Sequence, residues 1–328
     1  MPHTRHIALP FLALATLVLI LIPCSPAQGQ PKTAGELTVT TWNVQFMWDG
    51  VLPEEGQLVR KTPEEAAKHM TDISTVIRQI DPDILNLVEV ENIDALNLLN
   101  SRYLNDLRYS AFLENGTDTY TGQDVGLLTR VKPIQAIKRY SHRGKSDDVE
   151  KSVSKNYYAL FHVEDVRFAV ITLHFLAIPT HKGRVFERQA QAEAMAHLAR
   201  FLIGHGYEII MLGDFNDYDG QVLDLNQNRP ITKVLEICKL MTDDDPSNDL
   251  TNVAMFIEQD QRFTAHYDKN KNGKIDGRRE LSAIDHILVS SGIVERLHRV
   301  WIHQQQDAMK ASDHFPVNMT FSTSKQMH

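Results

Sequence analysis

The chain has 328 residues, 42% of them hydrophobic and 23% charged, which is the composition of an ordinary globular enzyme with ample core. A formal charge of -8 argues against a protein held to nucleic acid or membrane by bulk positive charge, although a local basic patch remains compatible with it. Two cysteines, Cys24 and Cys238, exclude a disulfide framework.

The N-terminus has the pattern of an export signal. Arg5 gives a positive start, Ile7 to Pro23 is apolar, and Ser25-Pro26-Ala27 offers small residues for cleavage. A membrane anchor is the alternative, but the run falls short of the ~20 residues a span needs. Leu21-Ile22-Pro23-Cys24 resembles a lipid-attachment box only weakly, because proline stands directly before the cysteine. The expectation is a cleaved signal over 1–27, a flexible lead over 28–36, and secretion or periplasmic location. Cys24 then leaves with the signal, and Cys238 is alone.

Leu37 to Val44 reads as a strand rich in β-branched residues. Thr62-Pro63-Glu64-Glu65 is a helix start, with a capping threonine, a first-turn proline and acids at the positive end of the dipole. Ala66, Met70, Ile73, Ile77 and Ile80 continue at helical spacing until Asp81-Pro82-Asp83. Ile84 to Val88 is a short apolar strand ending at Glu89. Val166 to Leu173 is another, ending at His174. A helix follows through Val185, Ala192, Met195, Ala199 and Leu202, broken by Gly204 and Gly206. Glu208 to Leu212, Ala283 to Val289 and Arg299 to His303 complete the strands. Strands mixed with helices throughout, with no repeat or linker, predict one α/β domain over 37–323.

Asn43, Glu89, His174, Asp214, Asn216, Asp285 and the pair Asp313-His314 all lie at or near the ends of apolar runs. One such residue is ordinarily a turn or cap; seven such sites point to loops positioned by a sheet, where catalytic groups concentrate. Carboxylates and amides are hard ligands suited to Mg²⁺ or Mn²⁺. A carboxylate can deprotonate water, and a histidine steadied by a second carboxylate can stabilise developing negative charge. The set fits hydrolysis at phosphorus.

Six segments resemble the endonuclease/exonuclease/phosphatase superfamily, in its order, between residues 41 and 317. They are Thr41-Trp42-Asn43-Val44-Gln45, Asn86-Leu87-Val88-Glu89-Val90, Leu173-His174-Phe175, Gly213-Asp214-Phe215-Asn216-Asp217, Ile284-Asp285-His286-Ile287-Leu288 and Ser312-Asp313-His314-Phe315-Pro316-Val317. The resemblance implies a two-layered β-sandwich core flanked by helices, a four-layer α/β sandwich as in pancreatic-type deoxyribonuclease. It implies that Glu89 is the principal Mg²⁺ (or Mn²⁺) ligand, with Asn43 beside it and Asp313 close to the metal. Asp214 would activate water, Asn216 would hold a phosphate oxygen, and His314, oriented by Asp285, would stabilise the transition state. His174 matches the first catalytic histidine of the deoxyribonuclease and sphingomyelinase branches. His286 is read as structural, and Asp124 as a turn residue.

Asp268, Asn270, Asn272, Lys274 and Asp276, with Gly273 at the sixth place, copy the first nine places of an EF-hand-type loop. Arg279 stands at the twelfth place and Glu280 follows one residue late. No helix pattern precedes the loop, so a stand-alone structural Ca²⁺ site is the expectation, against a solvated turn. Lys138, Arg139, Arg143, Lys145, Lys151 and Lys155 form a basic stretch, interrupted by Asp147, Asp148 and Glu150, that could track a phosphate backbone or be a solvated loop.

The resulting expectation is a secreted, metal-dependent phosphodiesterase using direct attack of water, first of all a nuclease acting on nucleic acid. The alternatives are a sphingomyelinase-type enzyme acting on phospholipid, an inositol-phosphate phosphohydrolase, or an inactive calcium-responsive binding protein. No protein partner is implied, and a monomer is expected.

Overall fold

In the computed structural model, residues 35–51, 61–118, 121–241 and 246–324 are described. The export signal and nearly all of the lead lie outside them. In chain order the elements are β1 (Glu36–Met47), α1 (Pro63–Ile80), β2 (Ile84–Val90), α2 (Ile93–Leu98), β3 (Ser110–Leu113) and β4 (Asp124–Thr129). Next come β5 (Gly144–Ser146), β6 (Val149–Lys151), β7 (Lys155–Val163), β8 (Val166–His174), α3 (Val185–Gly204), β9 (Glu208–Asp214) and α4 (Val234–Lys239). The last are β10 (Thr251–Asn252), β11 (Ala265–His266), β12 (Leu281–Ser282), β13 (Asp285–Val289), α5 (Ser291–Val294), β14 (Leu297–Ile302), α6 (Gln306–Ala311) and β15 (Val317–Ser322).

One sheet has the order β14-β15-β1-β2-β4-β3, the other β10-β13-β9-β8-β7. Strand periodicity of two assigns every residue to a layer. Val39, Ile84, Val88, Tyr157, Phe161, Val170, Ile210, Leu212, Ile287 and Met319 share one buried cluster between the sheets. Their neighbours in sequence point the other way. Ile171, Ile209 and Met211 pack with Met195, Ala199 and Leu202 of α3, while Trp42, Leu85 and Leu87 pack with Met70, Ile73 and Ile77 of α1. The arrangement is helices, sheet, sheet, helices, the four-layer α/β sandwich expected from the sequence. Among the described residues no helix is long and apolar enough to cross a membrane.

Local signals act where the sequence places them. Thr62 caps α1, with Thr62 and Glu65 exchanging side-chain and backbone bonds, and Asp81 ends the helix in a left-handed conformation. The strands run further than their apolar cores: β1 extends to Met47, β2 to Val90 and β9 to Asp214, so the polar ends belong to the sheets. β13 starts two residues later than expected, and β14 spans 297–302 rather than 299–303. Strands β7 and β15 carry no clean alternation and were not separable from loop by pattern.

The basic stretch is divided. Gly144 to Lys151 forms a hairpin against α3, while Lys155 is buried, its ammonium 2.9 Å from Asp118 and 2.8 Å from the Thr121 hydroxyl. The solvated-loop reading fails for Lys155 because it opens β7 with its side chain turned into the structure, beside Asp118 and Thr121. Cys238 is a free, buried thiol.

A polar link crosses the inter-sheet core. The Tyr157 hydroxyl donates to Asn86 Oδ1 at 3.2 Å, and Asn86 Nδ2 donates to Thr41 Oγ1 at 2.9 Å, all fully buried. Tyr157→Phe leaves the Asn86 carbonyl without that partner. It should lower stability by about 1–3 kcal/mol, read as a lower urea midpoint at unchanged slope. An unchanged midpoint would show that the bond contributes nothing net.

Candidate active site

The polar residues at the strand ends are continuations of the inter-sheet rows. In the second sheet Asp285 pairs with Asp214, Asp214 with His174, and His174 with Lys155. Paired residues on adjacent strands face the same side. These four therefore stand in one line on the face that Leu212 and Ile287 occupy one step deeper. Asn43 and Glu89 stand opposite, at the ends of β1 and β2. Where apolar filling ends, polar groups take over.

Backbone irregularity aims them. The β1–β2 register breaks between Asn43 and Met47, and β2 bulges against β4 between Val88 and Val90. Gln45, Phe46, Glu89 and Asn216 are left-handed, with φ of 50°, 58°, 67° and 52°. Such strain in non-glycine residues persists only where surroundings impose it, and it concentrates at functional sites. Gly213 has φ 143°, and a Cβ there would collide with the Leu173 carbonyl, so only glycine lets β9 bring Asp214 beside His174.

Asn43 donates through Nδ2 to Glu89 Oε1 at 3.2 Å and to Asp214 Oδ2 at 3.1 Å. Its Oδ1 accepts from the Gln45 backbone at 3.0 Å, and Glu89 Oε2 accepts from Phe46 N at 3.1 Å. Asn43 thus bridges the two carboxylates with its nitrogen, while its oxygen faces the backbone. Asp214 Oδ1 accepts from Asn216 N at 2.8 Å, and Asn216 Nδ2 donates to the Phe175 carbonyl at 3.2 Å.

His314 Nδ1 lies 2.8 Å from Asp285 Oδ2. That same oxygen accepts from the Thr264 hydroxyl at 2.8 Å, which in turn accepts from the backbone of Ile284 and Asp285. Asp313 is exposed at the rim, its carboxylate 4.0 Å from His314 Nε2. His174 is buried with Nε2 3.6 Å from Asp214 Oδ2.

The electrostatics divide the histidines. Burial lowers the His314 imidazole, but Asp285, Asp214 and Asp313 outweigh it and hold His314 well above the ordinary histidine range. Burial, helped by Lys155 and His314, holds His174 well below that range, so its approach to Asp214 is not an ion pair near neutral pH. Burial raises Glu89, and burial together with Asp285 pushes Asp214 up to about 7.

The fit to a divalent cation follows from this donor set. Asp214, Asp285 and His314 can each bring one ligand atom within 4.8 Å of the others. A protonated imidazole has no lone pair to give, so the donors of this site that fit a hard cation are its carboxylates. Among the described residues Glu89 is a desolvated carboxylate in no ion pair, a position that a cation would relieve.

Thr264 and Arg188 left no mark in the sequence pattern. Arg188 of α3 is fully buried and donates to the carbonyls of Leu176, Phe215 and Asn216 and to Asp217, tying the His174 loop to the Asp214 loop. His286 lies on the far side of β13 from Asp285. It donates from Nε2 to the Asp217 carbonyl at 2.9 Å and accepts at Nδ1 from Asn252, a structural role as expected. Asp124 opens β4 and accepts from Gly116 N at 2.8 Å.

The EF-hand-like loop lies outside this cluster. Asp268 accepts from Asn272 and Gly273, Asn270 and Asn272 both donate to Asp276, and Lys274 N donates to Asn272. Glu280 accepts from Asp276 N at 2.8 Å, which draws the residue one place late back into the loop.

No curated protein matches the chain in sequence. Among solved structures, a 3' phosphatase, NExo from Neisseria bound to a product DNA hairpin, is 19% identical with a TM-score of 0.57, covering 87% of this chain and 99% of that one. The human Nocturnin catalytic domain with bound sulfate is 17% identical with a TM-score of 0.56, covering 88% and 94%. Truncated TDP2 from Caenorhabditis elegans is 16% identical with a TM-score of 0.53, covering 88% and 97%. These likenesses establish a shared fold. The family model for the endonuclease/exonuclease/phosphatase family matches residues 40–314. The chain belongs to that family, whose members hydrolyse phosphoric esters.

Proposed function

We propose that the protein is a divalent-metal-dependent phosphodiesterase, and first of all a nuclease, with its catalytic unit over 37–323. The observation that carries this reading is the row Asp285–Asp214–His174 facing Asn43 and Glu89, with His314 charged against Asp285. A preference for nucleic acid is supported by His181, Lys182 and Arg184 in the loop just after His174, and by the DNA bound to the Neisseria structure. Plasmid DNA, RNA, sphingomyelin and inositol phosphates assayed in parallel with Mg²⁺ separate this from the lipid and inositol-phosphate alternatives. Turnover of sphingomyelin alone would overturn the nuclease reading.

In this mechanism Asp214 orients the attacking water and takes its proton, a task suited to a carboxylate poised near 7. Asn216 donates one amide hydrogen to Phe175 and keeps the other for a phosphate oxygen. Asp285 and Thr264 fix the His314 ring so that its Nε2–H faces the charge developing on phosphorus. His174, held neutral beside Asp214, completes the polar wall. Glu89 would hold Mg²⁺ or Mn²⁺, with Asn43 beside it and Asp313 at the rim. When bound, the cation would neutralise phosphate charge and stabilise the leaving oxygen.

Metal removal is the first check. EDTA should abolish activity, and Mg²⁺ or Mn²⁺ should restore it; full activity without metal would sink the mechanism. Ca²⁺ should raise the melting temperature of the wild type through residues 268–280, and Asp268→Ala should remove that rise.

The histidines give the second. His314→Ala and His174→Ala should each lower kcat by roughly 10²-fold or more with little change in melting temperature. Asp285→Asn combined with His314→Ala should be far from additive, since the two act as a unit. Because Asp214 must be ionised to accept a proton, kcat/KM should rise with pH through its ionisation. Burial and Asp285 push the Asp214 carboxyl up to about 7 without metal, and a cation beside it should place the limb lower. Near-normal kcat in His314→Ala with a loss of several degrees would reassign His314 to packing.

Export is proposed from Arg5, the apolar run and Ser25-Pro26-Ala27. N-terminal sequencing from the native host should find a start near Gln28; an intact Met1 or an acylated Cys24 would contradict soluble release.

A further inference from the structure

The left-handed turn at the end of β1 is held by a side chain outside the catalytic set. Lys61, one residue before the Thr62 cap, donates from Nζ to the Gln45 carbonyl at 2.9 Å and to the Phe46 carbonyl at 2.7 Å. Its third contact is His69 Nδ1 at 2.7 Å. An ammonium has three donors and no acceptor, so these three partners satisfy it completely. His69 is buried in α1, and its Nε2 donates to the Ala311 carbonyl at the end of α6 at 2.7 Å. That bond places the ring hydrogen on Nε2 and leaves the Nδ1 lone pair for Lys61.

The connection continues into the site from both ends. Ser312, next to Ala311, donates from its hydroxyl to the Asn43 carbonyl at 2.7 Å and accepts from His314 N at 3.0 Å. The amides of Gln45 and Phe46, whose carbonyls Lys61 holds, donate to Asn43 Oδ1 and Glu89 Oε2. Lys61 and His69 therefore close a ring of hydrogen bonds that runs through Gln45–Phe46, Ala311–Ser312 and Asn43. Two consecutive left-handed non-glycine residues are costly, and without a brace the peptides would relax toward the extended region. Relaxation would swing both amides away from the Asn43–Glu89 pair.

We propose that Lys61, seated on His69, is a positioning residue for the divalent-metal site: it fixes the Gln45–Phe46 turn whose amides orient Asn43 and Glu89. This rests on the reading of Glu89 as a metal ligand. Lys61 acts through the backbone, its ammonium being taken up by the Gln45 and Phe46 carbonyls and His69. Supporting partners behind metal ligands characteristically contribute about 10–100-fold in metal affinity.

The test is the Mg²⁺ concentration giving half of the maximal metal-induced rise in melting temperature, measured on the full mature chain without substrate. Glu89→Gln serves as the control that the rise reports this site and should abolish most of it. Lys61→Met should raise the Mg²⁺ midpoint about 10–100-fold. Lys61→Arg keeps the charge but offers a planar fork to three acceptors arranged around a point, and should raise the midpoint by less; it also serves if Lys61→Met does not fold. A Lys61 variant that melts earlier yet keeps the wild-type Mg²⁺ midpoint would overturn the proposal and leave Lys61 a plain turn brace. A wild type with no Mg²⁺ response, or a Glu89→Gln response equal to it, would instead remove the metal reading, and the inference with it.

Discussion

Strand register is the constraint on which the site depends. In the second sheet Asp285, Asp214, His174 and Lys155 occupy paired positions on four neighbouring strands, so they share one face by pleat geometry alone. A slip of one residue in β9 would turn Asp214 toward α3 and put Gly213 in its place. Apolar burial prevents that slip: Ile210 and Leu212 must face the other sheet while Ile209 and Met211 face the helices. The core that stabilises the fold therefore also sets the face on which Asp214 and Asp285 stand.

The same geometry concentrates negative charge where water is scarce. Asp214 and Asp285 are buried neighbours, and Glu89 stands opposite with Asn43 between it and Asp214. Buried carboxylates are tolerated when donors or cations face them. Here His314 supplies one positive charge, Asn43 two N–H groups, and Thr264 a hydroxyl. Glu89 accepts from Asn43 and the Phe46 amide, and burial still holds its carboxyl above the ordinary range.

The site also stores backbone strain, braced from outside. Gln45 and Phe46 are left-handed beneath Lys61, and Asn216 is left-handed beside carbonyls held by the buried Arg188. Both braces come from flanking helices or their caps, Lys61 from the start of α1 and Arg188 from the first turn of α3. The helices thus do more than cover the sheets: they hold the irregular peptides that a regular sheet could not provide. Arg188 spans the two loops that follow β8 and β9, which explains how their positions relative to each other are kept without regular structure between them.

The sequence by itself determined the class of fold and the chemical inventory. Short runs of apolar and β-branched residues marked β1, β2, β8 and β9, because these strands are buried on both faces, and helical spacing marked α1 and α3. Asn43, Glu89, His174, Asp214, Asn216, Asp285 and His314 were legible because each stands at the end of an apolar run in an ordered set of motifs. Strands β7 and β15 were not legible, since Lys155, Asn156, Asn318 and Thr320 interrupt their apolar character while satisfying partners across sheets and loops. Only the tertiary structure decided which atoms meet. Thr264 under Asp285, Lys61 and His69 behind Glu89, and Arg188 between two loops lie far along the chain from the groups they hold. A hydrogen bond between residues distant in sequence leaves no local periodicity, so its existence is fixed by how the layers pack and not by any pattern readable along the chain.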